Sequence, residues 1–394
     1  MIRPRSAETR LAAYYFAHFA TVGTLVPYIA LWLSSLGHEP GWIGAVVAAP
    51  SLLMLVTTVS LGTWADRLSD WRTAILLANW LALGLLALWL LDTGPVAIVL
   101  VWTLSGVLIM AKQPVMDAAA LALTAREGIP YGRVRAFGSI GFIVALLVCG
   151  QLVEGDGVQR FLPMVLVVAA CRVLASHALP RLRAPRHPAH GTPITAGAGD
   201  ALPTDRPAVL RHTGFLAVLA GSALINASHA FYYTFGLLHW KSLGIATTTG
   251  SLLWAVAIVA EVGLMWRFAG VAKRLSPRHC LLLAASLGVL RWPLMLASAW
   301  PVLLIAQALH AATFGLTFLA TVNFIAKRVD EAHAARAQSV LAILSTGSLA
   351  VATVASGRLY ERIGGQGYLA MMVLSLAGLV LVAWSYRSDL DDIA

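Results

Sequence analysis

The sequence predicts an all-α membrane protein whose twelve transmembrane helices form two pseudo-symmetric six-helix bundles. Three observations lead there. Hydrophobic residues make up 59% of the 394 and charged residues only 12%, more apolar surface than a soluble core could hide. Apolar runs of about 20 residues, the length a helix needs to cross a bilayer, recur along nearly the whole chain. The second half also repeats the first at a constant offset.

The elements follow in order. Arg3, Arg5 and Arg10 precede an apolar run over 11–36. It is too long for a signal-peptide core and shows no cleavage site, so it reads as a first span that directs insertion. The remaining spans of the first half are expected at 42–65, 73–91, 95–124, 132–154 and 160–180. Those of the second half are expected at 212–239, 246–269, 279–298, 301–326, 336–359 and 367–386. Short gaps holding Gly, Pro or charge separate them, as helix ends require. The one long gap is rich in Pro, His, Gly and Ala and reads as a flexible cytoplasmic linker. The division is therefore 1–180 for the N-terminal bundle, 181–208 for the linker and 209–394 for the C-terminal bundle.

Loop charges orient the spans. One side collects the N-terminal arginines with Arg67, Arg72, Arg126, Arg133, Arg181, Arg183, Arg186, Arg206 and Arg211. It also takes Arg267, Lys273, Arg274, Arg278, Lys327, Arg328, Arg336 and Arg387. The other side shows Arg160, Lys241, Arg358 and Arg362. By the positive-inside rule the basic side is cytoplasmic, and an even number of spans places both termini there, in a bacterial inner membrane. Topology thus accounts for the formal charge of +10 without a nucleic-acid partner.

Ser35-Leu36-Gly37 ends span one and Ser242-Leu243-Gly244 ends span seven. Arg67-Leu68-Ser69 follows span two, and Arg274-Leu275-Ser276 follows span eight. Gly150-x-Leu152-x-Glu154 closes span five, and Gly357-x-Leu359-x-Glu361 closes span eleven. All three pairs share an offset of 207 positions. A parallel six-helix repeat points to alternating access around a site between the halves.

Gly62, Asp66, Arg67 and Arg72 resemble the conserved cytoplasmic loop of the major facilitator superfamily. There, acidic and basic residues latch one conformation. A degenerate copy, Gly270, Lys273, Arg274 and Arg278, lacks the Asp. Pro114-Val-Met-Asp117 and Tyr131-Gly-Arg-Val-Arg135-Ala-Phe-Gly138-Ser-Ile-Gly141 are similar to spans four and five of the lactose permease group. Glu361-Arg-Ile-Gly-Gly-Gln-Gly367 is similar to the loop before that group's last span. A narrower likeness, to the phenylpropionate permeases, rests on His229-Ala-Phe-Tyr232-Tyr233, Val259-Ala-Glu261-Val, Gly288-Val-Leu-Arg291-Trp292 and Gln307-Ala-Leu-His310-Ala-Ala-Thr313-Phe314. The resemblance implies a major facilitator fold, monomeric, importing an aromatic acid with protons.

An ionisable side chain inside a span costs several kcal/mol, roughly 2.5–3.5 on insertion scales, so each demands a reason. Asp117 and Arg135 sit at similar depth on antiparallel neighbours and are expected to pair; in the lactose permease group the matching residues hold substrate. The alternative is a structural salt bridge. Glu261 and Arg291 form the second expected pair. Burial favours a neutral carboxyl and a nearby Arg favours a charged one, so a group so balanced can take up and release a proton. His310 is a further proton relay, with Gln307 one turn earlier on its face. Thr313 stands where the lactose permease carries a carboxylate, so coupling falls to Glu261, Asp117 or the histidines.

His229, Tyr232 and Tyr233 share one face of span seven, as Tyr14 and His18 do in span one. They are candidate substrate contacts, with bundle packing as the alternative. Lys112 lies about 140° around the helix from Asp117 and does not neutralise it. Lys112, Arg135 and Arg291 then exceed Asp117 and Glu261 by one, which favours an anionic substrate. Arg172 is expected to snorkel to the cytoplasmic interface. Gly138, Ser139 and Gly141 in span five, with Ser345, Gly347 and Ser348 in span eleven, are expected at the moving interface between halves. Pro27, Pro114 and Pro293 are expected to kink helices.

Cys149, Cys171 and Cys280 lie in apolar runs without metal-ligand spacing. No Walker loop or metal cluster is present, so neither cofactor nor metal is expected and a proton gradient supplies the energy. A membrane-embedded enzyme would need a catalytic constellation on extended loops, which this chain lacks. Within transport, nucleoside or sugar import and drug efflux are the alternatives to aromatic-acid uptake.

Overall fold

The computed structural model describes residues 7–183 and 208–388, excluding the side chains of Val59, Asp66, Ala208, Glu331, Ala332 and Ala335. The expected linker thus lies almost wholly outside the described residues, as do Arg3, Arg5, Arg186 and Arg206. All regular structure among the described residues is helical.

The helices match the expected spans to within a few residues. Spans one to three are Ala7–Ser35, Pro40–Arg67 and Trp71–Ala87. Span four is broken into Pro95–Met110 and Gln113–Glu127. Spans five and six are Tyr131–Asp156 and Phe161–His177. Span seven is broken into Thr213–Ala227 and Ala230–Ser242. Spans eight and nine are Thr247–Arg274 and Pro277–Leu294. Span ten runs as Trp300–Ala308, a π-helical turn Ala311–Leu316 and Thr317–Arg328. Spans eleven and twelve are Glu331–Ile363 and Tyr368–Trp384.

Length and apolarity alone select ten segments among the described residues. The last, Arg336–Arg387, folds back at Gly364 and contains two spans. Span nine is not selected because Arg278, His279 and Arg291 make an 18-residue helix too polar. Helix starts carry the expected chemistry. Pro opens spans two, four and nine, where its missing N–H is no loss. Asp70 and Asp330 accept backbone N–H groups at the starts of spans three and eleven.

Small residues set the closest helix contacts, and two of those expected at the interface between halves instead pack within a bundle. Gly141 lies against the backbone of Phe16 and Gly23 against that of Phe142, locking span five to span one inside the first half. Ser348 donates to the Ala223 carbonyl, locking span eleven to span seven inside the second half. Gly347 has open space. Gly141 and Ser348 therefore build each bundle, whereas Ser139 lines the space between the halves, where span five packs on span eight.

That interface closes at the Arg-poor end. Gly44 and Gly357 bring spans two and eleven into backbone contact, and Gly150 meets Ser251 of span eight. The Ser251 hydroxyl lies 2.5 Å from that of Tyr28. Nearer the basic end of spans two and eleven, a side chain built on Gly62 or Gly347 would meet nothing within 4 Å.

Candidate functional site

Six spans surround a cavity of about 380 Å³ between the halves. Spans one, four and five contribute Phe19, Val22, Val26, Met110, Arg135, Ser139 and Phe142. Spans seven, eight and ten contribute Tyr232, Tyr233, Trp254, Ala257, Ile258, Glu261, His310 and Phe314. Arg135 comes from the first half and Glu261 from the second, and both line this one cavity.

Span ten places its side of the site through its π-helical turn. One extra residue per turn widens the helix and re-aims its side chains. Gly315 in that turn lies against Glu261; a Cβ there would be 3.2 Å from its Cγ. His310, just before the turn, brings Nε2 to 3.8 Å from Glu261 Oε2. Its ring stacks on Phe314, with centroids 5.3 Å apart.

Thr313 ties this edge to the core behind it. Its hydroxyl accepts from an Arg291 terminal nitrogen at 3.0 Å and lies 3.0 Å from His229 Nε2. His229 Nδ1 faces the Ile225 and Asn226 carbonyls, both at 3.1 Å. Carbonyls only accept, so neutral His229 carries its proton on Nδ1 and takes the Thr313 hydroxyl hydrogen at Nε2. His229 sits at the break in span seven, where its ring satisfies carbonyls the interrupted helix releases. Lys112 does the same at the break in span four, donating to the Ile109 carbonyl at 3.0 Å.

Several expectations change. Glu261 and Arg291 are not partners. Arg291 is fully buried behind the cavity, held by the Ala306 carbonyl at 2.8 Å, by Thr313 and by the Tyr232 and Trp292 ring faces. The side chain opposite Glu261 is His310 instead. Asp117 and Arg135 form no ion pair either. Tyr15 donates to Asp117 at 2.6 Å, Tyr131 at 3.0 Å and Gln113 at 2.9 Å, which satisfies the carboxylate locally. Arg135 lies over the Phe19 ring at 4.2 Å instead. Arg172 does not snorkel; it is completely buried inside the first bundle, close to Tyr14 and Lys112.

Of the expected contacts, Arg135, Tyr232, Tyr233, Glu261 and His310 line the cavity, while Asp117, Lys112, His18, Tyr14, His229, Gln307 and Arg291 do not. Tyr14 accepts from Asn79 at 3.2 Å, and its ring stacks with His18. Gln307 is buried, its amide 3.4 Å from the Met295 sulfur. Sequence reading missed Phe19, Phe142, Trp254 and Phe314. The last stands four residues after His310, a spacing that signals a shared helix face.

At the basic end the loop after span two is organised by Asp70, which the sequence reading passed over. Asp70 accepts from the backbone of Arg72, Leu182 and Arg183. Arg72 donates to the His177 carbonyl at 2.6 Å. Gly62 has open space and Arg67 is exposed; the side chain of Asp66 lies outside the described residues.

Known proteins share this architecture. A "Probable 3-phenylpropionic acid transporter" of Escherichia coli (strain K12) is 29% identical over 94% of this chain and 96% of its own length. The maltose permease of Geobacillus stearothermophilus is 26% identical over 95% of this chain and 93% of its own. Among solved structures, the nucleoside transporter NupG superposes with a TM-score of 0.79 at 17% identity. The match covers 97% of this chain and 99% of NupG. An inward-facing bacterial homologue of the human lysosomal transporter Spinster gives 0.72 at 13% identity, covering 98% and 97%. Residues 8–370 match the MFS_1 like family, and with its apolar spans and the cavity between its halves the chain belongs to that family of major facilitator membrane transporters.

Proposed function

We propose that the protein is a proton-coupled symporter that imports a small aromatic carboxylic acid by alternating access. One observation carries this reading. The described lining of the cavity between the halves pairs a single Arg, Arg135, with a single carboxylate, Glu261, inside walls that are otherwise mainly aromatic and aliphatic, with Ser139 and His310 as the further polar side chains. An aromatic acid matches both features. Its carboxylate suits the Arg135 guanidinium, and its ring suits the faces of Phe19, Phe142, Tyr233, Trp254 and Phe314.

The same lining supplies coupling. A substrate carboxylate on Arg135 screens the charge that acts on Glu261 across the cavity. A carboxylate deprived of its cation in a low-dielectric site is costly until it takes up a proton. His310, at 3.8 Å, is placed to pass that proton on. Substrate and proton would thus enter together and leave together. The likeness to the 3-phenylpropionic acid transporter supports this substrate class. By the positive-inside rule the basic end is cytoplasmic, in a bacterial inner membrane, and the cavity faces inward.

The experiment is uptake of labelled 3-phenylpropionate into proteoliposomes with and without an inward proton gradient. Gradient-driven accumulation is expected. Glu261→Gln should abolish uphill accumulation and retain exchange of internal for external substrate. Accumulation of a neutral nucleoside in place of the acid would overturn the reading, because such a substrate brings no carboxylate to Arg135 and cannot displace its charge from Glu261.

A further inference from the structure

We propose that Glu154 and Glu361 are gating residues, a pseudo-symmetric pair of latches that hold the Arg-poor end of the transporter shut. The proposal rests on the alternating-access reading but not on the identity of the substrate.

Glu154 closes span five in the first half. Its carboxylate accepts the backbone N–H of Thr247 at 2.7 Å, and Thr247 is the first residue of span eight in the second half. That N–H has no partner within its own helix, and the helix dipole makes this end positive. A carboxylate from one bundle therefore caps a helix of the other.

The repeat supplies the counterpart. Glu361 stands 207 positions after Glu154 and closes span eleven. Thr247 corresponds to Pro40, the first residue of span two. Pro40 has no N–H to offer, and Glu361 lies instead against the next residue, Gly41. A Cβ on Gly41 would strike both its carboxylate and the Arg358 guanidinium. Arg358 itself donates to Glu361 at 3.3 Å. Each half thus sends one glutamate onto the start of the equivalent helix in the other.

The packing beside the two latches obeys the same symmetry. Gly150 meets Ser251 next to Glu154, and Gly357 meets Gly44 next to Glu361. Both pairs map onto each other under the 207-residue offset. Close backbone approach brings the helix starts within reach of the glutamates, and both contacts must break when this end opens. The glutamates therefore favour the closed state specifically, which a residue buried within one bundle could not do.

The test uses the full-length protein in lipid nanodiscs, with Cys149, Cys171 and Cys280 replaced by Ala. Spin labels at Leu36→Cys and Leu243→Cys, repeat-related positions at the Arg-poor end of spans one and seven, report its opening as an inter-label distance distribution. Each of Glu154→Gln and Glu361→Gln should raise the open-to-closed ratio about two- to five-fold, the range expected for a charge at a helix start. The double variant should multiply the two effects. Asp156→Asn removes a nearby exposed charge that pairs with Arg160 in its own half, and should change nothing. An unchanged distribution in the single variants, or an equal shift from Asp156→Asn, would overturn the proposal. If the double variant does not fold, the singles decide. Opening in the variants without phenylpropionate uptake by the unsubstituted protein would sink the substrate and leave the latches standing.

Discussion

At position 313 one hydroxyl joins two buried groups that would otherwise face each other as donor and ring. It accepts from Arg291 and meets the bare nitrogen of His229. Replacing it by the isosteric Thr313→Val leaves both without that partner, at a cost of about 1–3 kcal/mol. A lower midpoint of thermal unfolding in detergent is the expected readout. Arg135 differs because it faces the cavity. Arg135→Ala should raise the half-saturation for 3-phenylpropionate roughly 10- to 100-fold, the loss expected for a hydrogen bond to a charged group. Asp117→Asn, whose carboxylate is occupied by Tyr15, Tyr131 and Gln113, should leave half-saturation nearly unchanged; an effect equal to that of Arg135→Ala would return Asp117 to the binding site. One of those three donors was legible, since Gln113 stands four residues before Asp117 on the same helix. Tyr15 was not, because a contact across 102 residues leaves no mark in local spacing.

The elements themselves were largely legible, because crossing a bilayer forces length and apolarity onto each helix. Pro114 marked the break in span four, but the other interruptions left no such sign. The break at His229 and the π-helical turn in span ten depend on which freed carbonyls find a side chain, and hydropathy carries no trace of that. Small residues show the same gap. A glycine signals close approach but not the partner, so Gly141 proved to face span one while Gly357 faces span two. Gly357→Val tests that assignment. Its Cβ would meet the Pro40 carbonyl and the Gly44 Cα, at 2.6 and 3.0 Å. These are backbone atoms that cannot swing aside, so spans two and eleven must separate. The variant should lengthen the Leu36–Leu243 label distance, and unchanged separation would mean that the contact is easily remodelled.

For the whole molecule, closure at the Arg-poor end together with open space beside Gly62 and Gly347 predicts access from the basic end. Ser139 lines the cavity on span five. In the cysteine-free background, Ser139→Cys should react with a membrane-impermeant maleimide several-fold faster in inside-out vesicles than in right-side-out ones. The opposite ratio would reverse either the orientation or the open side. The membrane class, the helix boundaries, the repeat and the side on which basic loops collect all follow from the chain of residues. Each is written locally, as a run, a cap, a charge or a recurring tripeptide. The pairings come from the folded bundle: His310 rather than Arg291 opposite Glu261, two Tyr hydroxyls and the Gln113 amide rather than Arg135 around Asp117, and Glu154 on the start of a helix from the other half. In a low-dielectric interior an ionisable group takes whichever partner the helix packing brings within about 3–4 Å, and helix packing is a property of the assembled bundle.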